Sequence, residues 1–186
     1  MIYIIDDFLS EELYMAIKKD KNKFEEYKTP NKSFWVKALP QEFITYMCER
    51  LSQIENKKII NILAFIRQAK KNQDNNWRIH NDTIINNQQP DRAIVLYINS
   101  PEQKKLNGTA LWEHSDYGDT YTGEGNKEFD KVLLEESENL DKWKLKSVIG
   151  YKPNRLLSYP CEYFHSKYPN EFDKERVVIV MFYKTL

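Results

Sequence analysis

The feature that most constrains the fold is a series of short segments, beginning near residue 59, that are rich in β-branched and aromatic residues. Pro, Asn, Asp and Gly separate these segments, which is typical of strands joined by turns. No clear helical period lies between them, so antiparallel pairing is favoured over helices that connect parallel strands. The predicted strand segments are IINILAFIRQAK (59–70), WRIHNDTII (77–85), RAIVLYIN (92–99), TALWEH (109–114), KSVIGYKPNRLLSYP (146–160) and RVVIVMFYK (176–184).

The residues before this series predict one strand and two helices. IYIID at 2–6 is a short apolar run, and Ser10 is placed to cap a helix within residues 8–20. Apolar residues at helical spacing predict a second helix over residues 41–57. The sequence therefore predicts a mainly β fold with N-terminal helices, a double-stranded β-helix or jelly roll.

The length of 186 residues fits one domain with a substantial core. Within that domain, residues 1–58 are interpreted as N-terminal helical support and residues 59–186 as the jelly-roll core. Acidic side chains crowd residues 113–147, which we interpret as an excursion from the core. A solvated surface segment is the favoured reading of this excursion, and a lid over a pocket is the alternative.

Composition limits the classes of partner. Lys plus Arg and Asp plus Glu both number 28, so the net charge is zero and no basic excess indicates nucleic acid or an anionic membrane. No apolar run approaches the length of a membrane span, and the opening residues carry acids where a signal peptide has bases. The expectation is a cytoplasmic protein in which Cys48 and Cys161 are reduced thiols.

A histidine and a carboxylate two residues apart are the first sign of chemistry. In WRIHND, His80 and Asp82 project to the same face if the segment is a strand, which makes them two adjacent metal ligands. WEHSDYG holds a second such pair, His114 and Asp116, but the residues after Asp116 are loop-like, so the same-face argument fails there. We favour the first pair and interpret His114 as a pocket-lining or structural residue.

A third ligand would have to come from another strand, and His165 in SYPCEYFHSKYPN is the natural choice. Two histidines and one carboxylate leave three positions open on an octahedral Fe(II). Arg176 opens the last apolar strand, where a charge is costly unless it is paired. A dicarboxylate cosubstrate would pair it, whereas the plainer reading places Arg176 at an exposed strand start beside Glu175.

The chain resembles the Fe(II)/2-oxoglutarate-dependent oxygenases in the order of its motifs. These are HxD, YIN, NGT, NRLLSYP…FHS and an Arg ahead of the final strand. Within them it is similar to the prolyl-4-hydroxylase-like branch. The N-terminal sequence YIIDDFLSEEL of this chain also resembles the opening strand and helix of that branch. The resemblance covers most of the chain, and the motifs that carry it lie outside residues 113–147. The family's turn often holds two glycines, and NGT holds one.

The resemblance implies that His80, Asp82 and His165 hold Fe(II) and that Arg176 binds the distal carboxylate of 2-oxoglutarate. Tyr97 would add a hydroxyl to that carboxylate site. The resemblance also matches Gly108 and Thr109 to the family's glycine-rich turn, and it places Trp112 near the cosubstrate or substrate. With His114, Trp112 completes the candidate substrate pocket. The implied activity is a dioxygenase that uses O2 to hydroxylate a C–H bond of a peptide or protein side chain, or of a small metabolite.

Three other readings remain open. A metal-dependent cupin-like enzyme would keep the metal ligands without needing Arg176 for 2-oxoglutarate. A metal-free jelly-roll binding module would keep only the fold. A purely structural protein would use His80 and His165 as ordinary half-buried residues.

Overall fold

The computed structural model describes residues 1–20, 22–29, 32–70, 78–99, 106–122, 127–169 and 175–186. The helices are α1 (Glu11–Lys19), α2 (Gln41–Glu55) and α3 (Lys127–Glu136), and a short 3-10 helix covers Leu140–Lys142. The strands are β1 (Tyr3–Ile5), β2 (Glu25–Thr29), β3 (Lys32–Ala38), β4 (Ile59–Ala69), β5 (Arg92–Tyr97), β6 (Gly108–His114), β7 (Trp143–Gly150), β8 (Leu156–Pro160), β9 (His165–Tyr168) and β10 (Arg176–Thr185).

Two antiparallel sheets form the body of the molecule. The larger sheet has the order β1-β8-β5-β10-β4-β3-β2, and the smaller has the order β7-β6-β9. Neighbouring strands are distant in the sequence, as in β10 between β4 and β5, so the chain crosses repeatedly between sheet positions. The predicted mainly β jelly roll with N-terminal helices is confirmed.

The N-terminal helices cover the outer face of the larger sheet. The Ser10 side chain accepts a hydrogen bond from the Leu13 amide at 3.3 Å, so it caps α1 as the sequence predicts. Phe43, Met47 and Leu51 form the buried stripe of α2. Ile66 and other apolar residues of the sheet pack against these helices, and this contact forms one hydrophobic core.

The second core lies between the sheets, and the alternation of side chains along the strands defines it. On β10, Val178 faces this interior whereas Ile179 faces the helices. Tyr97 of β5 and Leu111 of β6 also face the interior. Any charged or polar residue on this alternating set therefore projects into the space between the two sheets.

Three expectations need correction. Residues 1–58 are not only helical, because β2 and β3 form a hairpin that pairs with β4 and widens the larger sheet. The segment predicted as a strand at 77–85 has isolated bridges at His80 and Ile85 rather than a continuous strand, and Trp77 lies outside the described residues. In the described part of region 113–147, α3 and the first residues of β7 are present, so this region contains regular secondary structure.

No helix in the described part of the chain is both long enough and apolar enough to cross a membrane. Cys48 and Cys161 are both free thiols, and burial raises the pKa of each.

Candidate metal centre and anion site

The backbone brings together three residues that are far apart in the sequence. His80 and His165 exchange two backbone hydrogen bonds, with N···O distances of 3.0 and 2.8 Å. The Asp82 amide donates to the Cys161 carbonyl at 2.9 Å, which fixes Asp82 against the turn that precedes β9. The segment before β5 is thus attached to the start of β9 by its main chain, independently of any side-chain ligand.

The side chains of His80, Asp82 and His165 converge. Nε2 of His165 lies 3.1 Å from Oδ2 of Asp82, and Nε2 of His80 lies 3.7 Å from Oδ1 of the same carboxylate. One ligand atom from each residue lies within 4.8 Å of the other two. Ligands about 2.1 Å from a shared ion and at right angles to each other are about 3 Å apart, so this spacing fits one metal ion.

The orientation of both imidazoles supports the same reading. Nδ1 of His80 donates to the Arg78 carbonyl at 2.9 Å, and Nδ1 of His165 donates to the Tyr163 carbonyl at 3.0 Å. A ring that donates from Nδ1 in its neutral form carries its lone pair on Nε2, the atom that faces Asp82 in both residues. Two neutral imidazoles and one carboxylate are a donor set suited to Fe(II).

The surroundings of this group are mostly buried. The exposed fractions of the side chains are 25% for His80, 14% for Asp82 and 8% for His165. The Tyr159 ring packs 4.7 Å from the His165 ring, and burial, followed by the nearby Asp82 charge, raises the pKa of Tyr159 well above its usual value. Tyr159 therefore stays protonated beside the group and forms an apolar wall around His165.

Arg176 lies inside the sandwich rather than at an exposed strand start. It is only 6% exposed, and its guanidinium carbon is 5.7 Å from the Tyr97 ring centroid and 5.9 Å from that of Tyr151. The Tyr97 hydroxyl shares a 2.8 Å hydrogen bond with the Thr109 hydroxyl. Burial lowers the pKa of Arg176, but a guanidinium starts so high that it remains a cation. The interior thus holds a fixed positive charge beside hydroxyl groups.

The side chain of Tyr97 points into the interior, as its predicted role at the carboxylate site requires. It is fully buried, its ring stacks on Tyr151 with centroids 4.2 Å apart, and burial raises its pKa. Tyr151 is a residue that sequence reasoning missed. It follows β7 in IGYKP, and nothing in that stretch indicates that its ring turns towards Arg176.

The second HxD pair has a different role. His114 accepts the Asp116 amide on Nδ1 at 3.1 Å, and its Nε2 contacts the Glu136 carboxylate at 2.9 Å. Its ring also packs against Trp143, with centroids 4.6 Å apart. Ligand atoms of His114, Asp116 and Glu136 lie within 4.8 Å of one another, but Nδ1 of His114 accepts the Asp116 amide. In its neutral form this ring therefore carries its proton on Nε2, which donates to Glu136, and neither nitrogen has a free lone pair for a metal. These contacts tie the end of β6 to α3.

Trp112 and His114 do not join the candidate metal group. Along β6, Thr109 and Leu111 face the interior, so Trp112 and His114 lie on the opposite face of the smaller sheet. Trp112 packs in a third core with residues of α3 and β7, and its Nε1 donates to the Ser166 hydroxyl at 2.9 Å. His114 therefore supports the sheet from behind. Trp112 also contributes to the lining of a cavity beside the smaller sheet, so its place in a substrate pocket stays a prediction.

A groove runs along the open side of the sandwich. A cavity of about 280 Å³ lies beside the smaller sheet. Its lining comes from β6 and β7, from the connections around them and from the N-terminus: Ile2, Leu111, Trp112, Asp119, Lys146, Ser147, Tyr163 and Phe164. A second cavity of about 480 Å³ shares Ile2 and Ser147 with it and extends along β1 and β7. The described lining stops short of the three candidate ligands, but the Tyr163 carbonyl holds the His165 ring, so the groove ends beside them.

Sequence comparison finds no matching family profile and no matching curated protein. Structural comparison, in contrast, finds solved structures that span the whole chain. The viral collagen prolyl hydroxylase vCPH from Paramecium Bursaria Chlorella virus-1, in its 2OG complex, is 12% identical with a TM-score of 0.57, covering 100% of this chain and 96% of that one.

Two bacterial structures give the same result. A Pseudomonas putida prolyl-4-hydroxylase is 10% identical with a TM-score of 0.57, covering 98% of this chain and 91% of that one. HygX from Streptomyces hygroscopicus, with nickel and 2-oxoglutarate bound, is 8% identical with a TM-score of 0.62, covering 98% and 82%. The chain therefore has the fold of the 2-oxoglutarate-dependent oxygenases, which confirms at the level of the fold the resemblance drawn from its motifs.

Proposed function

We propose that this chain is an Fe(II)- and 2-oxoglutarate-dependent dioxygenase that hydroxylates a C–H bond of a peptide or protein side chain, or of a small metabolite. The observation that carries the proposal is the convergence of His80, Asp82 and His165, with both imidazoles oriented through Nδ1 by backbone carbonyls. When bound, Fe(II) and 2-oxoglutarate would supply the oxidative chemistry, which inserts oxygen from O2 and yields succinate and CO2.

The chain's own residues would bind and orient these groups. His80, Asp82 and His165 would supply three ligand atoms to the ion, and its remaining coordination positions would be open to the cosubstrate and O2. Arg176 would bind the distal carboxylate of 2-oxoglutarate, with the Tyr97 hydroxyl as a further donor. The apolar core between the sheets would exclude water from the site.

Two classes of substrate, peptides and small molecules, are compatible with the fold. The fold neighbours include prolyl hydroxylases and HygX, which has been crystallised with hygromycin B, so this fold is used with both peptide-type and small-molecule ligands. The neutral net charge argues against a nucleic-acid substrate. Location in the cytoplasm remains part of the proposal.

The test is an anaerobic titration of the apo protein with Fe(II) and then 2-oxoglutarate, monitored by visible absorption. The proposal expects a metal-to-ligand charge-transfer band that saturates with 2-oxoglutarate and is absent in His80→Ala. His114→Ala is the matched control, because it also removes a partly or fully buried histidine but should keep the band. Iron binding without the band would favour the cupin-like enzyme, and failure to bind iron would favour the binding module.

A further inference from the structure

A second arginine lies beside Arg176 on the interior face of the larger sheet. In the pairing of β4 with β10, Arg176 lies opposite Ala69, and Val178 lies opposite Arg67. Arg67 is therefore the diagonal neighbour of Arg176, two positions along the partner strand. Side chains in diagonal positions on one face are within reach of each other when they are long.

Neighbouring residues confirm that this face is the interior one. Ile66, next to Arg67, is fully buried against the helix layer, and Phe65 packs in the core between the sheets. Alternation along β4 then directs Arg67 to the same side as Phe65. The positive charge of Arg67 contributes to lowering the pKa of Arg176, which is consistent with the proximity of the two guanidinium groups.

The two arginines differ in exposure. Arg176 is buried beside the stacked Tyr97 and Tyr151 rings, whereas Arg67 is half-buried. A carboxylate has two oxygens, so it can accept hydrogen bonds from two guanidinium groups at the same time. Two cations on neighbouring strands of one face therefore suit a single carboxylate bound between them.

We propose that Arg67 is the second cation of the site that binds the distal carboxylate of 2-oxoglutarate. This inference rests on the proposed function, and it assigns Arg67 a role in selecting a dicarboxylic keto acid over a monocarboxylic one. Arg176 supplies the buried contact, and Arg67 binds from the more exposed side. The two arginines together place two positive charges around the distal carboxylate. This charge favours binding of a dianionic cosubstrate over a monoanionic one.

The competing role for Arg67 is structural. Val36 of β3 pairs with Arg67, and Glu25 of β2 pairs with Val36, so the exposed Glu25 lies on the same face two strands away. An ion pair across those strands would hold the hairpin to the sheet and would have nothing to do with the cosubstrate. The two roles predict different results when the ligand, rather than the protein, is varied.

The experiment compares 2-oxoglutarate with 2-oxopentanoate, in which a methyl group replaces the distal carboxylate. Both ligands are titrated anaerobically into Fe(II)-loaded wild type, Arg67→Met and Arg67→Lys, and binding is followed by the charge-transfer band. Arg50→Met is the matched control, since Arg50 is also half-buried but lies on α2, where it contacts Tyr46 and Phe8. Thermal unfolding of each apo protein is measured alongside.

The inference expects Arg67→Met to weaken 2-oxoglutarate binding about tenfold, the effect of about one charge-assisted hydrogen bond at a half-buried site, without changing 2-oxopentanoate binding. Arg67→Lys should recover part of the loss, and Arg50→Met should bind both ligands as the wild type does. Unchanged 2-oxoglutarate binding in Arg67→Met, or an equal loss for both ligands, would overturn the inference while the proposed function stands. A wild type that binds neither ligand would overturn the proposed function itself.

Discussion

Replacing Arg176 with Met separates a role in binding an anion from a role in the core. Arg176 is 6% exposed and lies beside a stacked pair of tyrosine rings, so a carboxylate bound there would be largely shielded from water. Two N–H···O bonds from a guanidinium to a carboxylate are worth about 1.5 kcal/mol each or more. Their loss amounts to about 3 kcal/mol, which corresponds to an increase of about 150-fold in the Kd for 2-oxoglutarate.

The same substitution should leave the apo protein about as stable as before. Met retains much of the buried volume, and the Tyr97 hydroxyl keeps its hydrogen bond to Thr109. Removing a buried charge also removes its desolvation cost, which is the cause of the lowered pKa of Arg176. We therefore expect the free energy of unfolding to change by less than about 1 kcal/mol.

The assay is calorimetric titration of 2-oxoglutarate into protein loaded with Ni(II), combined with urea unfolding of the apo protein. Arg176→Lys is the matched variant, since it keeps the charge but loses the planar pair of donors, and its Kd should fall between those of Met and wild type. An Arg176→Met protein that binds 2-oxoglutarate within about threefold of wild type would refute the assignment of the anion site. A loss of more than about 2 kcal/mol in apo stability would show that Arg176 mainly supports the core.

Four further substitutions test other parts of the structure. Asp82→Ala should weaken iron binding at least about 100-fold, measured by equilibrium dialysis, while circular dichroism shows a folded protein. His114→Ala should bind iron like the wild type but lose about 2 kcal/mol in urea unfolding, because two hydrogen bonds and a buried ring are removed. Gly108→Ala should cost about 2 kcal/mol or more in the same assay, since φ is +153° and an added Cβ would lie 1.9 Å from the Ile149 carbonyl oxygen. Asp6→Asn should lower the free energy of unfolding by less than about 1 kcal/mol near neutral pH. Hydrogen bonds from Arg155 and then Lys152 lower the pKa of Asp6. The contribution of the Asp6 carboxylate to stability is therefore complete above about pH 4 and declines as the pH falls below that.

Each of these expectations has a contradicting result. Iron retained by Asp82→Ala and lost by His114→Ala would transfer the metal centre to the second HxD pair. A Gly108→Ala protein with wild-type stability would mean that the backbone at the start of β6 adopts a different conformation. A difference between Asp6→Asn and wild type that grows as the pH falls would mean that the carboxylate is not stabilised in its charged form.

The long apolar strands could be predicted from the sequence because their residues favour strands regardless of context. β4, β5 and β10 match runs of β-branched and aromatic residues closely. The β2–β3 hairpin could not be predicted in this way, since EEYKT and KSFWVKA mix charged residues without a clear alternation. Those residues become strands because β3 pairs with β4, a contact that a local pattern does not contain.

The candidate metal residues were identified by assuming a strand, which the described residues 78–85 do not form. The prediction assumed that His80 and Asp82 share one face of a strand, but the structure has only an isolated bridge at His80. Their proximity to His165 comes from backbone hydrogen bonds with the start of β9 and the preceding turn. The orientation of Trp112 was missed because it requires knowing that Leu111 faces the interior, which depends on how β6 packs.

The exchange of backbone hydrogen bonds between His80 and His165 affects the thermodynamics of ion capture. Because the main chain brings the two rings together as the protein folds, little conformational entropy remains to be lost when an ion arrives, and the apo site is preorganised. The same rigidity prevents the rings from moving apart to accommodate a larger ion with more oxygen ligands. If this group holds a metal ion as proposed, it would discriminate by ionic radius, in favour of small divalent transition metals over Ca²⁺.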